Sequence, residues 1–206
     1  MKNNALNINS SVEWLNAGKI LAHPTESIWG LGCDALNEEA VKLIFKIKKR
    51  DKKKNFILLV KSLESFEKYL EEINTEDKTF LNKHWPGPYT FLIKYNEKLP
   101  THLKNASGKI AIRVSNHLPI RHLFESFSGF MVSTSANISG EENINNPNHI
   151  MNYFEYEEMA YYDEILGDNK SPSTIIDLES RAIISCLLYT SPSPRDLSTS
   201  RMPSSA

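Results

Sequence analysis

The sequence predicts an α/β protein with one twisted, open, mixed sheet and flanking helices. Short apolar runs, rich in β-branched and aromatic residues and bounded by Pro, Gly, Asn or Ser, indicate strands. Between them lie stretches whose apolar residues recur every three to four positions, which is typical of amphipathic helices. Because the two kinds of segment interleave along the chain, we expect helices to cover the faces of a sheet. The length of 206 residues and the hydrophobic content of 40% suit one buried core better than two.

Each element is predicted from its own pattern. The apolar runs predict strands at 19–23, 56–60, 89–94, 109–114, 130–134, 158–162, 173–178 and 182–185. The helical periodicity predicts helices at 10–17, 38–49, 62–73, 76–84, 118–127 and 148–156. Lys48 stands at the end of the apolar stripe of the second helix, and Ser62 is placed to cap the third. The polar connection 139–149 predicts a mobile loop or lid.

Composition and charge exclude several classes of protein. The net charge of −1 argues against binding nucleic acid through bulk positive charge. No apolar run is long enough to span a membrane, and the N-terminal segment lacks the apolar region of a signal peptide. The two cysteines are too few and too scattered for a disulfide framework or a zinc site. We therefore expect a soluble cytoplasmic protein with no metal site of its own.

The last segment differs from the rest of the chain. From Cys186 onward the sequence CLLYTSPSPRDLSTSRMPSSA is rich in serine and proline and shows almost no apolar pattern. A disordered tail is the ordinary interpretation. The string also resembles the translation of a sequencing-adapter end, and such scars do not belong in an argument about fold. We expect one domain over 1–185, truncated at its C-terminus, and an artefactual, disordered tail over 186–206.

The segment HPTESIWGLG at 23–32 is the first candidate site. A strand ends at His23, and the proline that follows stops its ladder. Thr25 and its neighbours then present short polar side chains at the end of that strand, where ligands collect in α/β proteins. Gly30 and Gly32 permit close approach of the backbone. A turn punctuated by proline and glycine, in which the threonine serves only as a cap, is an equally good interpretation.

The run KIKKRDKKKNF at 46–56 is the second candidate. A solvated, charged helix end explains such a run without any ligand. The functional interpretation is a clamp for a polyphosphate, because arginine offers a bidentate fork and lysine a point charge. Lys48 and Arg50 would point the same way if the chain there were extended. The chain contains no GxxxxGK[ST] motif, so this is not a P-loop.

Four further segments stand out, one with a structural role and three with polar groups. WPGPYTF at 85–91 predicts a rigid turn that enters a strand, with a structural role. Arg113 lies in the apolar strand KIAIRV and needs a partner, which could be a structural ion pair or the carboxylate of a substrate. STSANISG at 133–140 and SPST at 171–174 supply hydroxyl and amide groups suited to a carboxylate, ribose or phosphate, although an ordinary turn explains them as well.

Read in order, HPTESIWGLG, IFKIKKR, WPGPYTF, KIAIRVSNH, STSANISG and PSTIID resemble the successive motifs of the YrdC/Sua5 family, the threonylcarbamoyl-AMP synthases. The resemblance covers nearly all of residues 8–185, and the length is similar to the short bacterial form (TsaC). It implies a YrdC-like fold and a nucleotidyltransferase that converts L-threonine, bicarbonate and ATP into threonylcarbamoyl-AMP and pyrophosphate, with Mg²⁺ bound through the ATP phosphates. It also implies downstream proteins of the TsaB, TsaD and TsaE type, which modify certain tRNAs.

Carried over by motif, the resemblance assigns the nucleotide side of the site. Lys48 and Arg50 would bind the ATP phosphates and act as the catalytic residues. Lys54 fits the lysine of the short form's R-P-x-x-K pattern, and Asn137 would contact the nucleotide. The family proline after the K-x-R arginine is Asp51 here, and the family's C-terminal arginine before a glycine is absent, since the adapter-like tail begins about where it should be.

The same carry-over assigns the threonine side. Thr25 would contact threonine, Arg113 would hold its carboxylate, Ser135 would contact threonine beside Asn137, and Ser173 would close the substrate side. No protein nucleophile is implied, so positioning and cationic stabilisation of the phosphate charge would provide the catalysis.

Two other functions fit part of the pattern. A carbamoyl-transfer domain of the hydrogenase-maturation type would occur inside a larger chain with acylphosphatase and zinc-finger parts, and neither is visible in this sequence. An RNA-binding or ribosome-maturation factor without catalysis could use the basic run 46–54. The net charge and the lack of interleaved aromatic residues argue against tight RNA binding, but weak binding of tRNA or double-stranded RNA could accompany catalysis.

Overall fold

The computed structural model describes residues 4–51, 55–138, 141–169 and 173–184. They form one nine-stranded sheet in the order β1-β8-β2-β3-β7-β4-β6-β5-β9. The strands are β1 (Ala5–Leu6), β2 (Ile20–His23), β3 (Gly30–Asp34), β4 (Ile57–Leu59), β5 (Tyr89–Lys94), β6 (Lys109–Arg113), β7 (Met131–Ser135), β8 (Met159–Tyr162) and β9 (Thr174–Asp177). The helices are α1 (Ile8–Asn16), α2 (Glu38–Ile47), α3 (Leu63–Phe66), α4 (Thr75–His84), α5 (Leu118–Ser126) and α6 (Pro147–Phe154).

The sheet is mixed and open, so the predicted fold class is confirmed. Strands β1, β8 and β2 run parallel, as do the pairs β4–β6 and β5–β9. Strands β3 and β7 are antiparallel to their neighbours on both sides. Among the described residues, no helix is long and apolar enough to cross a membrane.

Local sequence signals set where the helices begin. Asparagine provides the N-cap of four helices, and its side-chain oxygen accepts a backbone N–H from within the first turn each time. These caps are Asn7, Asn37, Asn74 and Asn146. The predicted cap Ser62 is also confirmed, because it forms a reciprocal capping box with Ser65.

The two faces of the sheet differ in character. Side chains alternate along a strand and paired residues share a face, so the register assigns each residue to one side. One side, the apolar face, carries Ile20, Ala22, Leu31, Cys33, Leu58, Phe91, Ile110, Ile112 and Val132, all in one buried cluster. Helix α2 packs against that cluster with residues such as Val41 and Ile44. This side holds the larger core.

The opposite side, the mixed face, is only partly covered by apolar side chains. Helices α1 and α5 pack on Leu21, Leu59 and Met131 to form a second, smaller cluster. The rest of this face carries mostly polar or very small residues: His23, Gly30, Thr90, Ala111, Arg113, Ser133 and Ser135. Leu92 and Ile175 lie on the same face toward the β5–β9 edge. The polar part of this face is the part of the fold that positions the candidate site.

Strand β3 corrects the prediction for 23–32. Gly30 and Gly32 were expected after the end of a strand, in a segment that fits either a site or a turn, but they lie inside a buried strand between β2 and β7. A Cβ on Gly30 would lie 2.7 Å from the His23 ring, and one on Gly32 would lie 2.8 Å from the Val132 carbonyl oxygen. The glycines are there because the neighbouring groups leave no room for a side chain. The sequence pattern missed this strand because glycine is rare within strands.

Other boundaries also differ from the prediction. Helix α3 ends at Phe66 and continues only as a 3-10 turn to Tyr69, since Leu70 bridges to Tyr95. The predicted strand 182–185 is reduced to an isolated bridge between Ile183 and Ile176. The short strand β1 was not predicted. Residues 139 and 140 of the predicted lid lie outside the described residues, as does the whole predicted tail 186–206.

Candidate active site

The site begins at His23, the last residue of β2. Its ring is fully buried, with Nδ1 3.3 Å from the Pro24 carbonyl oxygen and Nε2 3.3 Å from the Ser133 hydroxyl. A carbonyl can only accept, so the neutral ring donates from Nδ1 and accepts at Nε2. Burial lowers the pKa of His23 to about 4. The imidazole is therefore an uncharged part of the floor at neutral pH.

Lys48 lies at one end of the mixed face. It is the C-cap of α2 and extends past the end of β7, where its Nζ donates to the carbonyls of Ser135 and Asn137 and, at 3.2 Å, to the side-chain oxygen of Asn137. The side chain is fully buried. Burial, together with the nearby charge of Arg50, lowers the pKa of Lys48 to about 7. Its three partners in these contacts are neutral oxygens, so these contacts of the ammonium include no carboxylate.

Arg50 lies in the turn that follows Lys48. The condition considered for a common direction, an extended chain, is not met: Lys48 is helical, as the predicted helix 38–49 has it, and Lys49 has a φ of 47°, in the left-handed region. This turn directs Lys48 and Arg50 inward and leaves Lys49 exposed. Arg50 donates to the Asn55 carbonyl at 2.7 Å. We call Lys48, Arg50, Ser135 and Asn137 the lysine end of the site.

Ser135 and Asn137 are held by each other as well as by Lys48. The Ser135 hydroxyl donates to the Asn137 side-chain oxygen at 2.6 Å, and the Asn137 amide donates to the Glu141 carbonyl. Tyr153 of α6 donates to the Glu141 carboxylate. The described part of the predicted lid is thereby connected to the lysine end. Lys54 lies outside the described residues, so its predicted nucleotide contact stays a prediction.

Arg113 lies at the other end of the mixed face, at the end of β6. Its Nη2 pairs with Glu26 Oε1 at 2.7 Å and its Nε donates to the Gly87 carbonyl at 3.2 Å, with both charged side chains nearly buried. The predicted structural turn at 85–91 therefore supports this arginine directly. Glu26 Oε1 also accepts from the Ser115 hydroxyl at 2.7 Å. We call Glu26, Arg113 and Ser115 the arginine end of the site.

The ionisation of the pair at the arginine end follows from these contacts. Burial acts to raise the pKa of Glu26, but the Arg113 charge and the Ser115 hydrogen bond outweigh it, and the pKa is lowered. Burial lowers the pKa of Arg113, against the opposing effect of Glu26. Both groups therefore stay charged near neutral pH.

Thr25 shapes the loop between the two ends. Its hydroxyl donates to the Ile28 carbonyl at 2.7 Å and accepts from the backbone N–H groups of Ser27 and Ile28, each at 3.3 Å. The capping turn weighed from the sequence is thus present. The Thr25 carbonyl also accepts from Gly167 at 2.9 Å. The hydroxyl is engaged locally, so contact with a ligand would add to this turn or replace its bonds.

Ser173 borders the arginine end through β5. Its hydroxyl lies 2.9 Å from that of Thr90, a fully buried residue next to Phe91, which pairs with Ile112 of β6. The strand register thus places Ser173 two strands from Arg113. The predicted site residues that the structure describes therefore fall on one face of the sheet or at its ends.

Sequence reasoning missed several residues of the site. Glu26 stands inside the motif HPTESIWGLG, and the only available signal was that a buried Arg113 requires a carboxylate partner. His23 and Ser133 are the first residues of the candidate segments HPTESIWGLG and STSANISG, but neither was assigned a role. They connect the two ends: Gly30 pairs with both His23 and Ser135, and the Glu26 charge reaches His23. Within the described ranges, no three His, Cys, Asp or Glu residues cluster as a metal site.

Comparison with known proteins agrees with this architecture. The family described as "Telomere recombination" (Sua5, YciO and YrdC) matches residues 13–185. The threonylcarbamoyl-AMP synthase of Saccharophagus degradans is 37% identical over 173 residues, which cover 84% of this chain and 91% of that protein. That of Buchnera aphidicola is also 37% identical, over 168 residues that cover 81% of this chain and 88% of that protein.

Solved structures show the same fold. P. abyssi Sua5, determined in complex with L-threonine, superposes with a TM-score of 0.76 at 29% identity, covering 84% of this chain and 54% of that one. E. coli YciO superposes with a TM-score of 0.75 at 25% identity, covering 87% of this chain and 92% of that one. By the family match and by these relatives, the chain belongs to the Sua5/YciO/YrdC family.

Proposed function

We propose that the chain is a threonylcarbamoyl-AMP synthase, which joins L-threonine, bicarbonate and ATP to give threonylcarbamoyl-AMP and pyrophosphate. The observation that carries the proposal is the inward turn after α2. It buries Lys48 and Arg50 at one end of the mixed face, and Arg113 lies at the other end of that face. A face with a cation at each end suits two ligands that bind side by side, one with a polyphosphate and one with a carboxylate. Curated relatives that match over most of the chain carry this activity in their names.

The lysine end is the proposed triphosphate clamp. Lys48 donates to neutral oxygens of Ser135 and Asn137. A phosphate oxygen is a stronger acceptor for this ammonium than a carbonyl, because the attraction between opposite charges is added to the hydrogen bond. Arg50 adds a planar fork to the point charge of Lys48, and Asn137 is proposed to contact the nucleotide. Lys54 is proposed as a further phosphate ligand.

The arginine end is the proposed threonine site. Arginine has five N–H donors, and the contacts of Arg113 to Glu26 and Gly87 use Nη2 and Nε. The terminal guanidinium nitrogen Nη1 is thus suited to hold the threonine carboxylate. Thr25, Ser135 and Ser173 line the same face or its ends and are proposed to contact the threonine through their hydroxyls.

The chemistry then depends on positioning and charge. The threonine amine and CO₂ form a carbamate, a carbamate oxygen attacks the α-phosphorus, and pyrophosphate leaves. The protein has to hold these atoms in line and stabilise the charge on the phosphates. The described residues offer no carboxylate cage, so Mg²⁺, which neutralises phosphate charge when bound, is proposed to be held by the phosphates of ATP.

The test is pyrophosphate release with ATP, Mg²⁺ and bicarbonate, with and without L-threonine. We expect release to depend on both threonine and bicarbonate, and threonylcarbamoyl-AMP to be detectable by mass spectrometry. Pyrophosphate release that is the same without threonine would reject the proposed reaction. Downstream transfer to tRNA adenosine by proteins of the TsaB, TsaD and TsaE type, in the cytoplasm, completes the proposal.

The exposed part of the basic run supports weak RNA binding as a second property. Lys46 and Lys49 are exposed, whereas Lys48 and Arg50 of the same run are buried. Only the exposed lysines are available to a tRNA or double-stranded RNA, so we expect weak, salt-dependent binding. A gel shift that Lys46→Ala weakens and Lys48→Ala does not would support this division. Tight RNA binding without any pyrophosphate release would favour an RNA-binding factor instead.

A further inference from the structure

The Glu26 carboxylate is satisfied on one side only. Oε1 accepts from Arg113 at 2.7 Å, from the Ser115 hydroxyl at 2.7 Å and from the Asn116 backbone N–H at 3.2 Å. Oε2 is buried and has no hydrogen-bond partner among the described residues. Most buried polar atoms in proteins have at least one partner, and those that lack one often belong to a functional site. Oε2 is therefore a buried hydrogen-bond acceptor without a donor among the described residues, and a ligand can supply that donor.

The position of this oxygen narrows the kind of donor. The carboxylate adjoins Arg113, whose Nη1 is suited to a ligand carboxylate. An α-amino acid carries its carboxylate and its ammonium group on the same carbon, so it needs a cationic donor and an anionic acceptor side by side. The arginine end offers both, held at 2.7 Å from each other. A ligand with a carboxylate and no amino group would satisfy Arg113 and leave Oε2 unpaired.

We propose that Glu26 recognises the α-amino group of the amino-acid substrate through Oε2, while Arg113 recognises the carboxylate. This inference rests on the proposed function and deepens it, because it makes Glu26 the residue that selects an amino acid over a hydroxy acid. In this arrangement the Ser115 and Asn116 contacts hold Oε1 in place, so that Oε2 is directed to the ligand.

The segment 163–169 packs against the backbone of Glu26. Its Asn169 N–H donates to the Glu26 carbonyl at 2.8 Å, and Gly167 lies so close that a Cβ there would be 2.6 Å from the same carbonyl oxygen. His117 fixes the segment from the other side through a 2.9 Å contact between Nε2 and the Ile165 carbonyl. The segment therefore lies directly on the Glu26 backbone. These contacts fix the backbone from which the Glu26 side chain extends.

The test compares two ligands by isothermal titration calorimetry without ATP. L-threonine is compared with 2,3-dihydroxybutanoate, in which a hydroxyl replaces the amino group. We expect the unmodified protein to bind threonine at least about 10-fold more tightly, since a hydrogen bond to a charged group contributes about that much. In Glu26→Gln, which keeps the shape and removes the charge, the difference should fall below about 3-fold.

Two variants separate recognition from support. Ser115→Ala removes one hydrogen bond to Oε1 and keeps the Glu26 charge, so both ligands should weaken by the same small factor. If Glu26 served only as a counter-ion for Arg113, Glu26→Gln would change the binding of both ligands equally and leave their ratio unchanged, and this result would overturn the proposal. Cooperative urea unfolding shows whether each variant is folded.

The measurement on the unmodified protein decides the matter even if Glu26→Gln does not fold. Equal affinities for threonine and 2,3-dihydroxybutanoate would overturn the role of Glu26 without any variant. Selective threonine binding without threonine-dependent pyrophosphate release would reject the proposed function and support the proposed role of Glu26 in binding the amino group. Threonine-dependent pyrophosphate release, together with an affinity ratio of the two ligands that is unchanged in Glu26→Gln, would support the proposed function and overturn the role of Glu26.

Discussion

The lysine end and the arginine end of the mixed face each bury a cation, but the protein stabilises the two cations differently. At the lysine end, Lys48 faces neutral oxygens, and burial lowers its pKa to about 7. At the arginine end, Arg113 is paired with the carboxylate of Glu26 at 2.7 Å. From this comparison we infer that the ammonium of Lys48, which contacts neutral oxygens, suits an anionic ligand. The guanidinium of Arg113 has to divide its N–H donors between Glu26 and a ligand. The following predictions test this difference, from the largest expected effect to the smallest.

Removal of one cation should affect stability mainly at the arginine end. Arg113→Gln leaves the Glu26 carboxylate buried and uncompensated, and breaking such a pair costs about 3–5 kcal/mol in the free energy of unfolding. Lys48→Gln leaves no charge behind and should cost much less. Urea unfolding measures both variants. Glu26→Gln combined with Arg113→Gln should recover part of the loss, and equal destabilisation by the two single variants would contradict the distinction.

Removal of Lys48 should affect activity far more than stability. Lys48→Ala is expected to lower kcat/KM for ATP in threonine-dependent pyrophosphate release by about 100- to 1000-fold, the range found when one preorganised donor is lost. Arg50→Ala should act in the same direction. Lys46→Ala is the matched control, because Lys46 belongs to the same basic run but is exposed, and its rate should stay within about 2-fold. Unchanged rates in both Lys48→Ala and Arg50→Ala would reject the clamp.

His23, between the two ends, should make the protein sensitive to acid. Its pKa is about 4 in the folded chain against an ordinary value of 6.5, so the unfolded chain binds more protons between these values. Stability is therefore lost as the pH falls from 6.5 toward 4, by roughly 3 kcal/mol at full protonation. His23→Gln should remove this part of the pH dependence. Urea midpoints measured across that range would check it, and an identical acid profile in the variant would refute it.

The pH dependence of ATP binding should show the smallest effect. A Lys48 pKa of about 7 means that the ammonium loses its proton as the pH rises above 7, so the attraction for phosphate weakens. We expect KM for ATP to rise by about 10-fold from pH 7 to pH 8.5, an upper value because bound phosphate holds the proton on the amine. Lys48→Arg keeps its charge throughout and should show a flatter profile. Parallel profiles would show that another group titrates.

The sequence indicated the members of the site better than their arrangement. Lys48, Arg50, Arg113, Ser135 and Asn137 were all predicted. Their inward direction at the lysine end depends on a single left-handed residue, Lys49, and no local pattern marks that conformation. An extended chain, the condition considered from the sequence, would have given the same direction for a different reason. The pairing of Arg113 was open because its partner Glu26 is distant in sequence.

Sequence alone determined the interleaved strands and helices and the asparagine caps, because these depend on neighbours along the chain. Only the tertiary structure decided that Gly30 and Gly32 lie in a strand, since the reason is the crowding by His23 and Val132 from adjacent strands. It also decided which oxygens surround Lys48 and which carboxylate faces Arg113. Those contacts join residues far apart in the chain, so their energies are set by packing and burial rather than by local sequence.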